Sequence, residues 1–340
     1  MNVLRFVLLG VLGAVGVTAG ELDAAKNYKC PYLENPPYGV SAWVQSEMVK
    51  SGKGRESRFV PYNSEAAKGL ILDASVLRDT YAATTSATGA DTAFFMVYDE
   101  RGWYVYIQSN DPEIQKLQDQ GKDISLELFF TPGLKEVPYY QVMIGQLAQT
   151  VKWIDWGMPH RHYRSLKNYA KVESLPIQGG VGTFMFIPWE ALYDRLPLNE
   201  EQWRFTVIRW KPPVTWGGTV HDTGNFGLVQ FEKPTRIVAE AIQLRILRAA
   251  WLHFQRTARK EVNHWSDEKL GDLEFYNKAL KPVSDSETEF GKSLGDPAEW
   301  NGATIQKSEG RLHDWMEFEY RVSELRREYL LDKSFANRRE

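Results

Sequence analysis

The residues of this chain best suited to chemistry are indoles set among polar side chains. Trp216 stands in Pro212-Pro213-Val214-Thr215-Trp216-Gly217-Gly218, a stretch rich in Pro and Gly that reads as a loop. A large ring on a loop finds little local burial, and an indole face suits the C–H patch of a pyranose ring. The bland use of Trp216 is to fold down and cap one end of the domain. Trp153 and Trp156, in Trp153-Ile154-Asp155-Trp156-Gly157, offer an opposing wall, or else one buried ring and one ring covering an edge. Sugar hydroxyls need fixed and often charged partners. Arg209, beside Trp210 at the end of an apolar run, is a candidate partner, or it pairs with Glu127 across the domain. His221 follows Trp216 and either braces that loop or reaches a ligand.

Other chemistries find less support. His160-Arg161-His162 would present both imidazoles to one side of a strand, as a metal site needs. No Cys or carboxylate completes the set nearby, and basic residues crowd it, so a polar loop is the expectation. The acidic pairs Asp99-Glu100 and Asp111/Glu113 sit in turns and carry oxygens of the kind calcium uses. Exposed turn acids are usually just solvated. The chain has no H-E-x-x-H, P-loop or dinucleotide fingerprint. Glu127, Glu190 and Asp194 supply carboxylates, but a glycosidase needs two placed across a cleft, and spacing alone pairs none of them. The expectation is a protein without catalysis and without a cofactor.

The composition agrees with an exported globular protein. Arg5 precedes an apolar run from Phe6 to Val17, followed by the small residues Thr18, Ala19 and Gly20. That is the charged, apolar, small-residue order of a secretory signal peptide, expected over residues 1–20. Cleavage would fall after Ala19 or Gly20, leaving a secreted or periplasmic protein. The run is shorter than the roughly 20 residues of a spanning helix, and no other stretch approaches that length, so no integral membrane segment is expected after cleavage. The only cysteine, Cys30, excludes an intrachain disulfide framework. A net charge of −3 gives no electrostatic case for nucleic acid. Aromatic residues make up 13% of the chain, with 12 Trp and 16 Tyr, which fits sugar binding and a large β core equally well.

The elements that would position these residues divide into two regions. Residues 30–233 read as short strands punctuated by turns. Ala93–Tyr98 and Trp103–Gln108 flank the turn Asp99-Glu100-Arg101-Gly102, a hairpin pattern. Ile124–Phe130, Tyr139–Ile144, Gly182–Ile187, Arg204–Trp210 and Phe226–Phe231 continue the series. A mainly β, antiparallel sandwich of jelly-roll type is expected. Residues 234–340 change character. Ile237, Ala241, Leu244, Leu247, Trp251 and Phe254 recur at helical spacing, as do Trp315, Val322, Leu325 and Tyr329. Pro282, Gly291, Gly295, Pro297 and Gly302 break the polar segment between them. A helical C-terminal extension is expected, its stripes buried on each other or on the sandwich and open to a protein partner.

Taken in order, the strand sequences resemble family 9 carbohydrate-binding modules and related DOMON-like sandwich domains. Val97-Tyr98-Asp99-Glu100-Arg101-Gly102-Trp103-Tyr104-Val105 is similar to their first hairpin, and Ser125-Leu126-Glu127-Leu128-Phe129-Phe130-Thr131-Pro132-Gly133 to the strand after it. Tyr139-Tyr140-Gln141, Phe186-Ile187-Pro188-Trp189-Glu190-Ala191-Leu192 and Trp203–Trp210 follow in the family's sequence, and Trp216, His221 and Phe226-Gly227 match its closing motif. The resemblance implies a non-catalytic sandwich with a carbohydrate ligand held between rings, serving polysaccharide capture or degradation. It makes Trp216 the stacking tryptophan, Arg209 the arginine near the ligand, and Glu127 an inward acidic position. Structural calcium occurs in such modules. The relatives also include haem-binding electron-transfer domains, for which Met96, Met143, Met158 and His221 would be available as axial ligands, although no c-type attachment motif exists. A structural or scaffolding protein is the third alternative. Trp103, Trp189, Trp203, Trp251 and Trp315 are assigned to packing.

Overall fold

The computed structural model describes residues 27–50, 60–61, 92–109, 125–136, 139–145, 148, 150–156, 163–164, 170–192, 202–210 and 213–336. The leader, Asp111 and Glu113, Met158, His160-Arg161-His162 and Asp194 fall outside the described residues.

Alternation of side chains builds the sandwich. In strand β11 (Gln202–Trp210), Trp203, Phe205 and Val207 enter the main core, while Arg204, Thr206 and Ile208 point to the other face. Its neighbours repeat the pattern. Among the described residues the larger sheet runs β1 (Asn27–Cys30), β13 (Gly227–Phe231), β11, β5 (Leu126–Thr131), β6 (Tyr139–Gly145), β7 (Thr150–Trp156) and β8 (Tyr163–Arg164). Strands β12 (Pro213–Trp216) and β2 (Val60–Pro61) add to it through β11. The smaller sheet runs β3 (Thr92–Tyr98), β4 (Gly102–Ser109), β10 (Gly180–Pro188) and β9 (Lys171–Ile177). The sandwich is antiparallel apart from β1, which pairs parallel to β13. At the β3–β4 hairpin the Asp99 carboxylate accepts from the backbone N–H groups of Arg101 at 2.8 Å and Gly102 at 3.1 Å, the usual task of Asp at a turn.

Each sheet also has an outer face, and the two are covered differently. The short helix α1 (Val40–Gln45), followed by α2 (Glu47–Lys50), lays Val40 and Trp43 on the smaller sheet, where Trp43 stacks on Tyr106 at 5.5 Å and 8°. On the larger sheet the cover is the loop of residues 217–226, which contributes Val220, His221 and Phe226. Gly217 starts that loop at φ +86°, where a Cβ would lie 2.5 Å from the Phe205 carbonyl, so only glycine fits.

The C-terminal region is helical and shares its core with the sandwich. Helix α3 (Arg236–Trp265) is capped by Thr235, whose side chain accepts from the Val238 N–H. Arg245 of α3 pairs with Glu190 at 2.5 Å, on the 3₁₀ turn Trp189–Leu192 that leaves β10. Ile242, Ile246, Leu247, Trp251 and Phe254 are buried in the same continuous cluster as Trp189, Leu192 and Trp203. The two apolar stripes meet as expected. Trp315 of α7 (Arg311–Met316) lies 5.0 Å from Trp251, and Phe318 of α8 (Phe318–Ala336) meets Phe254 edge-on at 4.8 Å. Ile237 departs from the stripe and is 81% exposed.

The intervening segment is more helical than its Pro and Gly residues suggest. It contains α4 (Leu273–Phe275), α5 (Lys281–Ser293) and α6 (Gly302–Lys307). A π turn, Tyr276–Leu280, joins α4 to α5 just ahead of Pro282. Proline lacks the N–H an α-helix would use there, and the wider turn accommodates that loss.

Candidate functional site

The outer face of the larger sheet gathers three of the six residues singled out from sequence: Trp156, Glu127 and His221. It begins with a cross-strand pair. Tyr139 of β6 is directly opposite Trp156 of β7, and their rings stack at 5.9 Å and 2°. Tyr139 is buried, whereas Trp156 is half-buried. The Trp156 indole N–H donates to Gln141 Oε1 at 2.8 Å. The Gln141 amide in turn donates through Nε2 to Glu127 Oε2 at 3.0 Å. Glu127, Gln141 and Trp156 thus form a polar relay across β5, β6 and β7. Burial raises the Glu127 carboxyl above the ordinary glutamate value, opposed by the neighbouring Trp210 side chain and by the hydrogen bond from Gln141.

His221 closes this arrangement from the loop side. It is exposed, and its backbone adopts φ +60°, an uncommon conformation for a non-glycine residue. Its Nδ1 lies 2.8 Å from the Tyr139 hydroxyl, and its ring meets Trp156 at 4.5 Å and Phe129 at 5.2 Å. The loop is tied to the sheet by Arg204, which donates to the carbonyls of Leu134 at 2.8 Å and Gly224 at 2.6 Å. Phe226 packs on Phe129 beneath it.

The other three residues occupy the interior. Trp216, expected on an exposed loop, is the last residue of β12 and is 3% exposed. Its ring is packed against Phe94 at 4.8 Å and Phe205 at 5.9 Å, so it offers no face to a sugar. The Pro- and Gly-rich reading failed because Val207 pairs with Trp216, and that long-range pairing holds residues 213–216 as a strand. Trp153 is fully buried on the inner face of β7, its N–H donating to Asp155 at 2.7 Å. It is the buried ring, and Trp156 the covering one. Arg209 is fully buried and donates to Thr92 Oγ1 at 2.8 Å. Glu127 lies opposite Ile208, whereas Arg209 lies opposite Leu126, which puts the two charges on different faces of the sheet. Glu127 therefore points outward, and it makes no salt bridge to Arg209. Met96 is a core side chain.

Two residues of the face, Tyr139 and Gln141, escaped the sequence reading. Their signal was a polar Gln141 between the core residues Tyr140 and Val142, with Tyr139 in phase with it. Among the described residues no group of three or more His, Cys, Asp or Glu side chains is arranged to hold a metal ion.

No family model matches the chain, and no curated protein matches it. Solved structures align with part of the chain. A protein from Bacteroides uniformis ATCC 8492, provisionally assigned to carbohydrate binding, is 15% identical with a TM-score of 0.39, covering 61% of this chain and 99% of its own. A family 9 carbohydrate-binding module from Caldicellulosiruptor kristjanssonii in complex with glucose is 11% identical with a TM-score of 0.36, covering 62% of this chain and 98% of its own. Such a module from the same organism with cellotriose is 9% identical with a TM-score of 0.32, covering 62% and 96%.

Proposed function

We propose that this protein binds carbohydrate without cleaving it, on the outer face of the larger sheet, with Trp156 as the stacking ring. The observation that carries this reading is the held indole. Trp156 is only half-buried, yet it is fixed by the Tyr139 stack on one side and by a hydrogen bond to Gln141. A ring immobilised before binding loses little freedom when a pyranose packs on it. Exposed His221 beside it supplies a group that hydroxyls use. Export to the periplasm or beyond completes the proposal on the strength of the leader-like Arg5 and Phe6–Val17 sequence, and a part in polysaccharide capture or degradation is what the resemblance of its strand sequences implies. No helix among the described residues is long and apolar enough to cross a membrane.

The test is calorimetric titration of the mature protein with glucose and cellotriose, alongside a glycan array, for wild type and Trp156→Ala. Saturable glycan binding that Trp156→Ala weakens supports the reading. An array without a single bound glycan, or binding indifferent to Trp156, overturns it.

A further inference from the structure

We infer that Glu127 is a positioning residue: through Gln141, it sets the orientation of the Trp156 ring. This rests on the proposed sugar-binding role of Trp156, but the relay itself stands on geometry. A glutamine amide has a donor end and an acceptor end, and Trp156 offers only a donor. Gln141 satisfies Trp156 only with its carbonyl turned toward the indole, which it does at 2.8 Å. In the opposite amide orientation two N–H groups would face each other. A carboxylate is acceptor-only, so Glu127 at 3.0 Å from Gln141 Nε2 selects the useful orientation and rejects the other.

The relay also explains an acidic side chain on this face. Gln141 is almost fully buried and Glu127 is half-buried, so leaving the amide unanchored would be costly. The Tyr139 stack fixes the plane of the indole, and the hydrogen bond fixes its rotation within that plane. Together they determine which part of the ring faces outward.

The inference is tested with Glu127→Leu, Glu127→Gln and Gln141→Met, reading the Trp156 indole N–H resonance by NMR. That resonance is assigned by its disappearance in Trp156→Phe. Glu127→Leu should shift the resonance and speed its exchange with solvent. Glu127→Gln keeps a carbonyl acceptor and should leave it near the wild-type position. Cellotriose affinity should fall by about threefold to tenfold in Glu127→Leu, the range of one net hydrogen bond, and recover in Glu127→Gln. If Glu127→Leu fails to fold, Gln141→Met breaks the relay at its centre and must move the same resonance while Glu127→Gln does not. An indole resonance unmoved in the folded relay variants overturns the inference, as does equal displacement in Glu127→Gln. Should wild type bind no cellotriose, the sugar reading loses support while the resonance still decides whether Glu127 positions the ring.

Discussion

The rings of Trp156 and Tyr139 lie 2° from parallel across a directly opposed strand pair, with Trp156 half-buried and Tyr139 buried. Trp216, by contrast, meets Phe94 at 73° inside the core. The two tryptophans therefore differ in setting, one partly open to solvent and the other packed between the two sheets.

Substituting each by alanine separates those roles. Trp156→Ala removes a surface anchor and should weaken sugar binding by about 2 kcal/mol, roughly thirtyfold. Its melting temperature should fall by less than that of Trp216→Ala, because loss of a half-buried ring leaves no enclosed cavity. Trp216→Ala leaves a cavity between Phe94 and Phe205 and should destabilise the fold by about 3–5 kcal/mol. Thermal melts and calorimetric titrations of both variants check this. A Trp216→Ala protein that melts like wild type would contradict the packing described.

Glu127 predicts a pH effect of definite sign. Its folded carboxyl titrates above the ordinary glutamate value, so the native state holds the proton more tightly than the unfolded chain. Stability therefore falls as pH rises from the ordinary glutamate value through the raised one, and the penalty is complete above it. Below the ordinary value both states are protonated and the penalty is absent. Glu127→Gln removes the titration. The melting temperature of wild type minus that of Glu127→Gln should decrease on going from acid to neutral pH, and a flat difference would contradict it.

The strands were legible because most alternate or are apolar throughout, as with Phe94 to Tyr98 and Trp103 to Ile107. The helical stripes were legible for the same reason at the longer period. Which face of a strand is inner was harder to read. In β5, Leu126, Leu128 and Phe130 enter the core, but Phe129 on the other face is apolar too, so Glu127 could be placed on either side. Trp216 was misread because Pro and Gly report local preference, while its pairing with Val207 is a tertiary contact. His221 reaches the site through a left-handed backbone conformation and a loop path that no periodicity encodes.

The shared core predicts how the chain responds to losing its helices. Arg245 pairs with Glu190, and the cluster containing Trp189 and Leu192 continues into Ile242 and Ile246. A chain ending at Lys233 should keep the β circular dichroism of the sandwich, bind a hydrophobic dye and melt at lower temperature. Loss of all structure would show instead that the sheet cannot form without α3.

Gly291 gives a sharper test of how the helices pack on one another. It lies within α5, where exchanging glycine for alanine is ordinarily worth about 1 kcal/mol in favour of the helix. Here a Cβ would stand 2.2 Å from two ring carbons of Trp251. The indole has little room to retreat, since Phe254 stacks on it at 5.5 Å and Trp315 lies 5.0 Å away. Overpacking of this kind costs about 1–3 kcal/mol and should exceed the propensity gain. Gly291→Ala should therefore lower the melting temperature, and adding Trp251→Phe, which frees space at the clash, should recover part of the loss. The double-variant cycle measures the coupling between the two positions. A Gly291→Ala protein that melts above wild type would show that α5 and α3 are not held this closely.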